Sequence, residues 1–245
     1  MRYKLTIEYD GTNFFGWQKL KYGVTVQEVL EIAVSTLYGH GTQVIGAGRT
    51  DTGVHALGQV AHFDAPDKYT CFAIGNALNS YLRNFPISIL RVEEVSDDFH
   101  ARFSAVSRSY LYRILNRRAP CALDAKRVWH IPAALNVEAM KEAATHFLGT
   151  HDFTSFRNSM CQAKSPIKTL DVMDVIKADN DEIHIKLQAR SFLHNQVRIM
   201  MGTLFDVGIG RISSSRIDEL FEIKDRTQAG STAPACGLYL TKVDY

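Results

Sequence analysis

Cysteine is scarce in this sequence and scattered. Cys71, Cys121, Cys161 and Cys236 lie far apart and form no C-x-x-C pair, so neither a zinc site nor a dithiol redox motif is expected. Long apolar runs are missing as well: none reaches the roughly 20 residues that a membrane-spanning helix needs. Met1 to Tyr9 alternates apolar and polar residues, unlike the charged-then-apolar order of a signal peptide. Nor is there a strong excess of charge. Lys and Arg number 28 against 26 Asp and Glu, a formal +2, so bulk charge announces no nucleic-acid partner. The phosphate-cradling motif G-x-x-x-x-G-K-[ST] is absent too. These absences point to a cytoplasmic protein with free thiols and with no membrane segment, metal or small-molecule cofactor.

What is present is a chain of 245 residues, 46% hydrophobic, enough for one large domain or two of ordinary size. Its charge is unevenly placed. Phe99 to Arg118 holds Arg102, Arg108, Arg113, Arg117 and Arg118 without an acid, and Phe153 to Leu170 holds Arg157, Lys164 and Lys168 likewise. Stripes of this kind suit a polyanion.

Alternation of period two predicts strands at Tyr3 to Tyr9, Ile87 to Val95, Ser109 to Leu115, Leu170 to Ile176, Ile183 to Ala189 and Leu238 to Tyr245. Thr25 with Glu28 makes a capping box ahead of a helical stripe, Val26, Val29, Leu30, Ala33 and Leu37, which Gly39 ends. Further helices are expected from Thr70 to Leu82, from Asn136 to Gly149, from Phe192 to Val207 and from Ile217 to Ile223. Phe14, Phe15 and Trp17 fall in a loop and are expected to pack on the core, with direct stacking on RNA as the alternative. Two strands joined by the short turn at Ala178 to Asp181 argue for antiparallel pairing and an α+β architecture. A boundary near residue 105 separates 1–105 from 106–245.

The stretch from Gly46 to Phe63, G-A-G-R-T-D-T-G-V-H-A-L-G-Q-V-A-H-F, concentrates the chemistry. Gly46, Gly48 and Gly53 give a sharply shaped loop, set between short strands at Gln43 to Ile45 and Gln59 to Phe63. It presents Arg49 and Asp51. Taken alone, the pair reads either as a solvated ion pair on a turn or as a catalytic carboxylate on a loop.

The whole string closely resembles the signature of the tRNA pseudouridine synthase A family. Phe99 to Ala105 (F-H-A-R-F-S-A), Arg108 to Tyr112 (R-S-Y-L-Y), Asp152 to Phe156 (D-F-T-S-F), Ser191 to Arg198 (S-F-L-H-N-Q-V-R) and Gly237 to Leu240 (G-L-Y-L) resemble further segments of that family, in family order. The resemblance implies a pseudouridine synthase fold: two related mixed α/β domains with antiparallel sheets that join across a basic central cleft. It implies that Asp51 is the nucleophile and that Arg198 holds its charge. Tyr110 would stack on the target base, and Arg49 would help to extrude or replace the flipped nucleotide. Leu238 or Leu240 would wall the uracil pocket, with Leu240 taken as the site residue. The implied substrate is the tRNA anticodon stem–loop at positions 38, 39 and 40, and the implied assembly is a homodimer.

The residues suit that chemistry. Turning uridine into pseudouridine breaks an N-glycosidic bond and rejoins the base through carbon, without redox change, hydrolysis or an added group, so no cofactor is needed. A carboxylate can attack an electron-poor carbon, and its ordinary pKa of about 3.9 keeps it ionised at neutral pH. Under a stacked base it needs a cation nearby. Arg198, between the apolar Val197 and Ile199 on a predicted helix, would be costly there unpaired. His194, one helical turn earlier, is expected to be structural or to contact RNA. Tyr112 shares the strand face of Tyr110, so the residues alone leave the stacking tyrosine open. Two rival classes remain. A retaining glycosidase would need a second carboxyl about 5–5.5 Å from the first, and a non-catalytic RNA-binding module would leave the Asp51 loop without a use.

Overall fold

The computed structural model describes residues 1–245. The chain divides into two compact units, Met1–Val106 with Tyr239–Tyr245, and Ser107–Leu238.

The first unit opens on β1 (Arg2–Tyr9), where Tyr3, Leu5 and Ile7 are fully buried and the residues between them are not. Helix α1 (Val26–Tyr38) follows. The Thr25 side chain accepts the Glu28 N–H at its start, and Gly39 closes it in the left-handed region at φ +76°. Then come β2 (Ile45–Gly46), β3 (His55–Asp64), α2 (Cys71–Tyr81) and β4 (Ile87–Val95). The strands β4, β1 and β3 lie side by side and antiparallel, with β2 against β3 at Ala61 and His62. Phe14 and Trp17 are buried as expected, whereas Phe15 is exposed.

Strand β3 is twice the expected length. Eight of its ten residues are buried, in no alternating order. A strand covered on both faces has no period-two signature, so its first half reads as loop.

His62 on β3 does structural work. Its ring is buried, and Nδ1 accepts the Ala101 N–H at 3.1 Å. Arg2 adds to this tie: its guanidinium grips the Asp64 carboxylate and donates to the carbonyls of Asp97 and Phe99. Burial, with the nearby Arg2 and His100, lowers the His62 pKa from 6.5 to about 4. The unfolded chain therefore binds this proton more readily than the folded one between those values. Stability should be intact above pH 6.5 and should fall as pH drops toward 4, by on the order of 1–2 kcal/mol once solvent screening is allowed for. His62→Asn can keep the acceptor without titrating. Urea midpoints followed from about pH 7 to about pH 4.5 should flatten in that variant; equal slopes in both proteins would remove His62 from the acid response.

The second unit begins with β5 (Ser107–Asn116), followed by the short β6 (Trp129–Ile131), α3 (Val137–Thr145) and β7 (Gly149–Asp152). Next are β8 (Ile167–Lys177), β9 (Glu182–Ala189), α4 (Gln196–Gly208) and α5 (Arg216–Ile223). The strand order is β5-β9-β8-β7, with β6 parallel to β5. Strands β6 and β7, at three and four residues, are too short to show a period. Phe147, Phe153, Phe156 and Phe221 pack ring on ring in the core.

Helix α4 starts four residues later than the apolar pattern predicts. Asn195 takes φ +62°, and Leu193 and Gln196 close a turn on each other. The Gln196 N–H donates to the Leu193 carbonyl, and the Leu193 N–H donates to the Gln196 side chain. Phe192 and Leu193 are apolar because they pack, not because they are helical. His194 therefore precedes the helix and is exposed.

The last strand, β10 (Leu238–Asp244), lies parallel to β3, with Tyr239 opposite His55 and Leu240 opposite Ala56. Apart from this pair and β6 with β5, strand pairing within each unit is antiparallel, which makes the fold α+β.

Candidate active site

The segment between β2 and β3 is pinned from below by buried hydrogen bonds. Thr50 is buried; its carbonyl accepts the Trp17 N–H at 3.0 Å, and its hydroxyl meets the Tyr9 hydroxyl at 2.8 Å. Gln59, fully buried on β3, donates to the Gly48 carbonyl at 3.0 Å and to the Tyr9 oxygen at 3.5 Å. Burial pushes the Tyr9 phenol up to about 12, so it stays neutral and keeps its proton for this network. The Val54 N–H turns back onto the Asp51 carbonyl at 3.1 Å, and Gly53 sits at φ +79°, where a side chain would be strained. The backbone on both sides of Asp51 is thus fixed. Arg49 points outward and is exposed, while Asp51 is half-buried. Leu240, buried opposite Ala56, lies beside the strand that leaves the loop.

In the second unit, β5 places its two tyrosines in different settings. Tyr112 is fully buried and donates its hydroxyl to the Pro234 carbonyl at 2.7 Å; burial raises its phenol pKa well above the usual range. Tyr110 is half-buried, and its ring meets Phe192 edge to face at 5.1 Å. Of the two, only Tyr110 keeps its ring at least partly open to solvent. On the first turn of α4, Arg198 is half-buried; its Nε donates to the Ala233 carbonyl at 2.8 Å and its Nη1 to Asn195 at 3.2 Å. Its charge reaches Cys236, where it opposes the burial that raises the thiol's pKa.

A carboxylate on a rigid loop, a half-open tyrosine and an oriented arginine are the groups that the resemblance requires. The family model described as tRNA pseudouridine synthase matches residues 5–104 and 143–245. The chain belongs to this family. It is 54% identical over its full length to a tRNA pseudouridine synthase A from Paramagnetospirillum magneticum, covering 95% of that protein. Matches from Anaplasma phagocytophilum and Bartonella tribocorum, with the same name, are each 52% identical over the whole chain and cover 100% and 99% of theirs. A structure of a Cbf5–Nop10–Gar1 complex superposes on 97% of this chain and 48% of that one, at 10% identity and a TM-score of 0.39, too loosely to bear on the site.

Within this tRNA pseudouridine synthase, the family match includes Asp51 and Arg198 but leaves Tyr110 in its gap; the full-length relatives span that segment. The D-F-T-S-F motif is framework. Asp152 caps a single helical turn, Phe153–Phe156, whose two phenylalanines are core, and Ser155 donates to the Leu220 carbonyl. The basic stripe is also uneven. Arg108 is buried and donates to the Arg190 carbonyl, and Arg113 is paired with Glu182 and Asp124. Arg102, Arg118 and Lys164 are exposed. The sequence reading passed over Tyr9, Thr50 and Gln59 as anchors. A glutamine inside the apolar run of β3 was the available signal, since a buried amide requires partners.

Proposed function

We propose that this member of the tRNA pseudouridine synthase family isomerises uridine to pseudouridine in the tRNA anticodon stem–loop, at positions 38, 39 and 40. Asp51 is the nucleophile, Arg198 neutralises it, Tyr110 stacks on the flipped base, and Arg49 fills or opens the helix it leaves. Leu240 walls the uracil. The N1–C1′ bond breaks and a C5–C1′ bond forms; a proton leaves C5 and one is taken up at N1, so mass is unchanged. The observation that carries this reading is the Asp51 carboxylate held on a loop whose backbone is fixed by buried bonds, a preorganised presentation that suits a nucleophile. Stacking on Tyr110 would supply about 1–3 kcal/mol toward holding an extruded base. On the same reading the enzyme works as a cytoplasmic homodimer without a cofactor; no helix is long and apolar enough to cross a membrane.

Incubation with unmodified tRNA tests this directly. Uridine should convert without mass change to a carbon-linked isomer, and carbodiimide mapping should place it at positions 38, 39 and 40. Release of free uracil would instead indicate a glycosidase, and binding without reaction would indicate an RNA-binding module. Against the glycosidase, the loop at 46–54 carries one carboxylate and no second.

A further inference from the structure

The residues between α5 and β10 show no sequence period, yet they contact Arg198 directly. Segment 230–233 runs along α4 in the opposite direction. At one end the Gly230 N–H donates to the Thr203 hydroxyl at 3.0 Å, and that hydroxyl donates in turn to the Ile199 carbonyl at 3.0 Å. At the other end Ala233 is joined to Arg198 twice. The Ala233 N–H donates to the Arg198 carbonyl at 3.0 Å, and Nε of Arg198 donates to the Ala233 carbonyl at 2.8 Å. Five helical residues rise about 7.5 Å, a span that three extended residues can cover.

At Gly202 the strap packs against the helix backbone to backbone. A Cβ on Gly202 would lie 1.7 Å from the Ser231 carbonyl oxygen, so a side chain there would push the strap away. From outside, the Arg226 guanidinium holds the carbonyls of Ala229 and Gly230 and the Thr232 hydroxyl. Thr203 is fully buried, a polar side chain with both of its bonds made. None of these groups needs to touch a substrate to matter, because the Ala233 carbonyl is one of the partners, with Asn195, that orient the guanidinium.

We infer that Thr203 and Arg226 are positioning residues for the pseudouridine synthase reaction: they lock the strap at 230–233 onto α4 so that the Ala233 carbonyl presets the Arg198 guanidinium. The inference rests on the proposed role of Arg198. Misplacing a reacting group by about 1 Å from a distance can cost up to about 100-fold in rate, and loosening the strap at Gly230 shifts Ala233, three residues on.

The test is a single-turnover rate of pseudouridine formation at saturating tRNA, well below the unfolding temperature, with tRNA Kd measured separately. Thr203→Val should slow turnover by roughly 10- to 100-fold and leave Kd within about twofold. Thr203→Ser, which restores the hydroxyl, should recover most of the rate. Arg226→Gln acts on the strap from its outer side and should show the same split if Thr203→Val folds poorly. A normal rate in Thr203→Val and Arg226→Gln overturns the inference, as does a loss that Thr203→Ser does not recover. So does a fall in affinity equal to the fall in rate. Arg198→Met in the same assay separates the two levels. If it is slow while the strap variants are normal, positioning fails and the role of Arg198 stands. If it turns over normally, that role fails, and the inference with it.

Discussion

Asp51→Asn should bind tRNA as the wild type does and form almost no pseudouridine. The anchors of the loop are the Thr50 hydroxyl and carbonyl, the Gly48 carbonyl and the Asp51 backbone carbonyl. None of these uses the carboxylate, so the same anchors should hold the loop in the amide variant. What it removes is the charge that the proposed mechanism uses as nucleophile. Losses on removing a nucleophile or its partner run to roughly 10⁴- to 10⁶-fold. Single-turnover rates and filter binding on the same preparation give both halves of the result. Substantial turnover by a folded Asp51→Asn protein would sink the assignment, and lost binding would show that the loop holds RNA instead.

Arg198→Met is expected to have the second largest effect. The methionine roughly keeps the stem's volume beside the strap, but loses the planar fork. Removing one preorganised donor for developing charge costs about 10²- to 10³-fold in other enzymes, and here a whole cation is lost, so the fall should be at least that large. Arg198→Lys should retain more activity, since a point charge survives without the fork geometry. An independent readout comes from Cys236. The guanidinium holds its thiol pKa down against burial, so Arg198→Met should slow alkylation of Cys236, followed by peptide mass mapping. Normal turnover with slowed alkylation would mean that the cation is gone and was never needed.

These predictions depend on residues that differ widely in legibility. Strands with one covered face announced themselves: β1 and β4 alternate, and β8 and β9 pair across a four-residue turn. Helices α1 and α2 were bounded by Thr25, Gly39 and Thr70, whose capping side chains and backbone are where expected. Burial on both faces hid the first half of β3, and a left-handed Asn195 displaced the start of α4. Asp51, Tyr110 and Arg198 were singled out through whole motifs. What fixes them was not. Gln59 binds Gly48 across eleven residues, and Thr203 binds Gly230 across twenty-seven. Such partners carry no local period, because a buried polar group needs only a partner in space.

The placement of β10 sets a timetable for biosynthesis. Strand β3, which leads away from Asp51, is covered by β2 only at Ala61 and His62; His55 and Ala56 are covered by Tyr239 and Leu240. The ribosome makes those two residues only after all of 107–238 has been translated. Until then, a nascent chain carries an unpaired half-edge next to the Asp51 loop, with the His55 ring lacking the Tyr239 ring that stacks on it at 4.6 Å. An open edge of this kind is a template for pairing with other chains. The strand that leaves the Asp51 loop is therefore among the last to be completed, although buried hydrogen bonds hold the backbone of that loop in the folded protein.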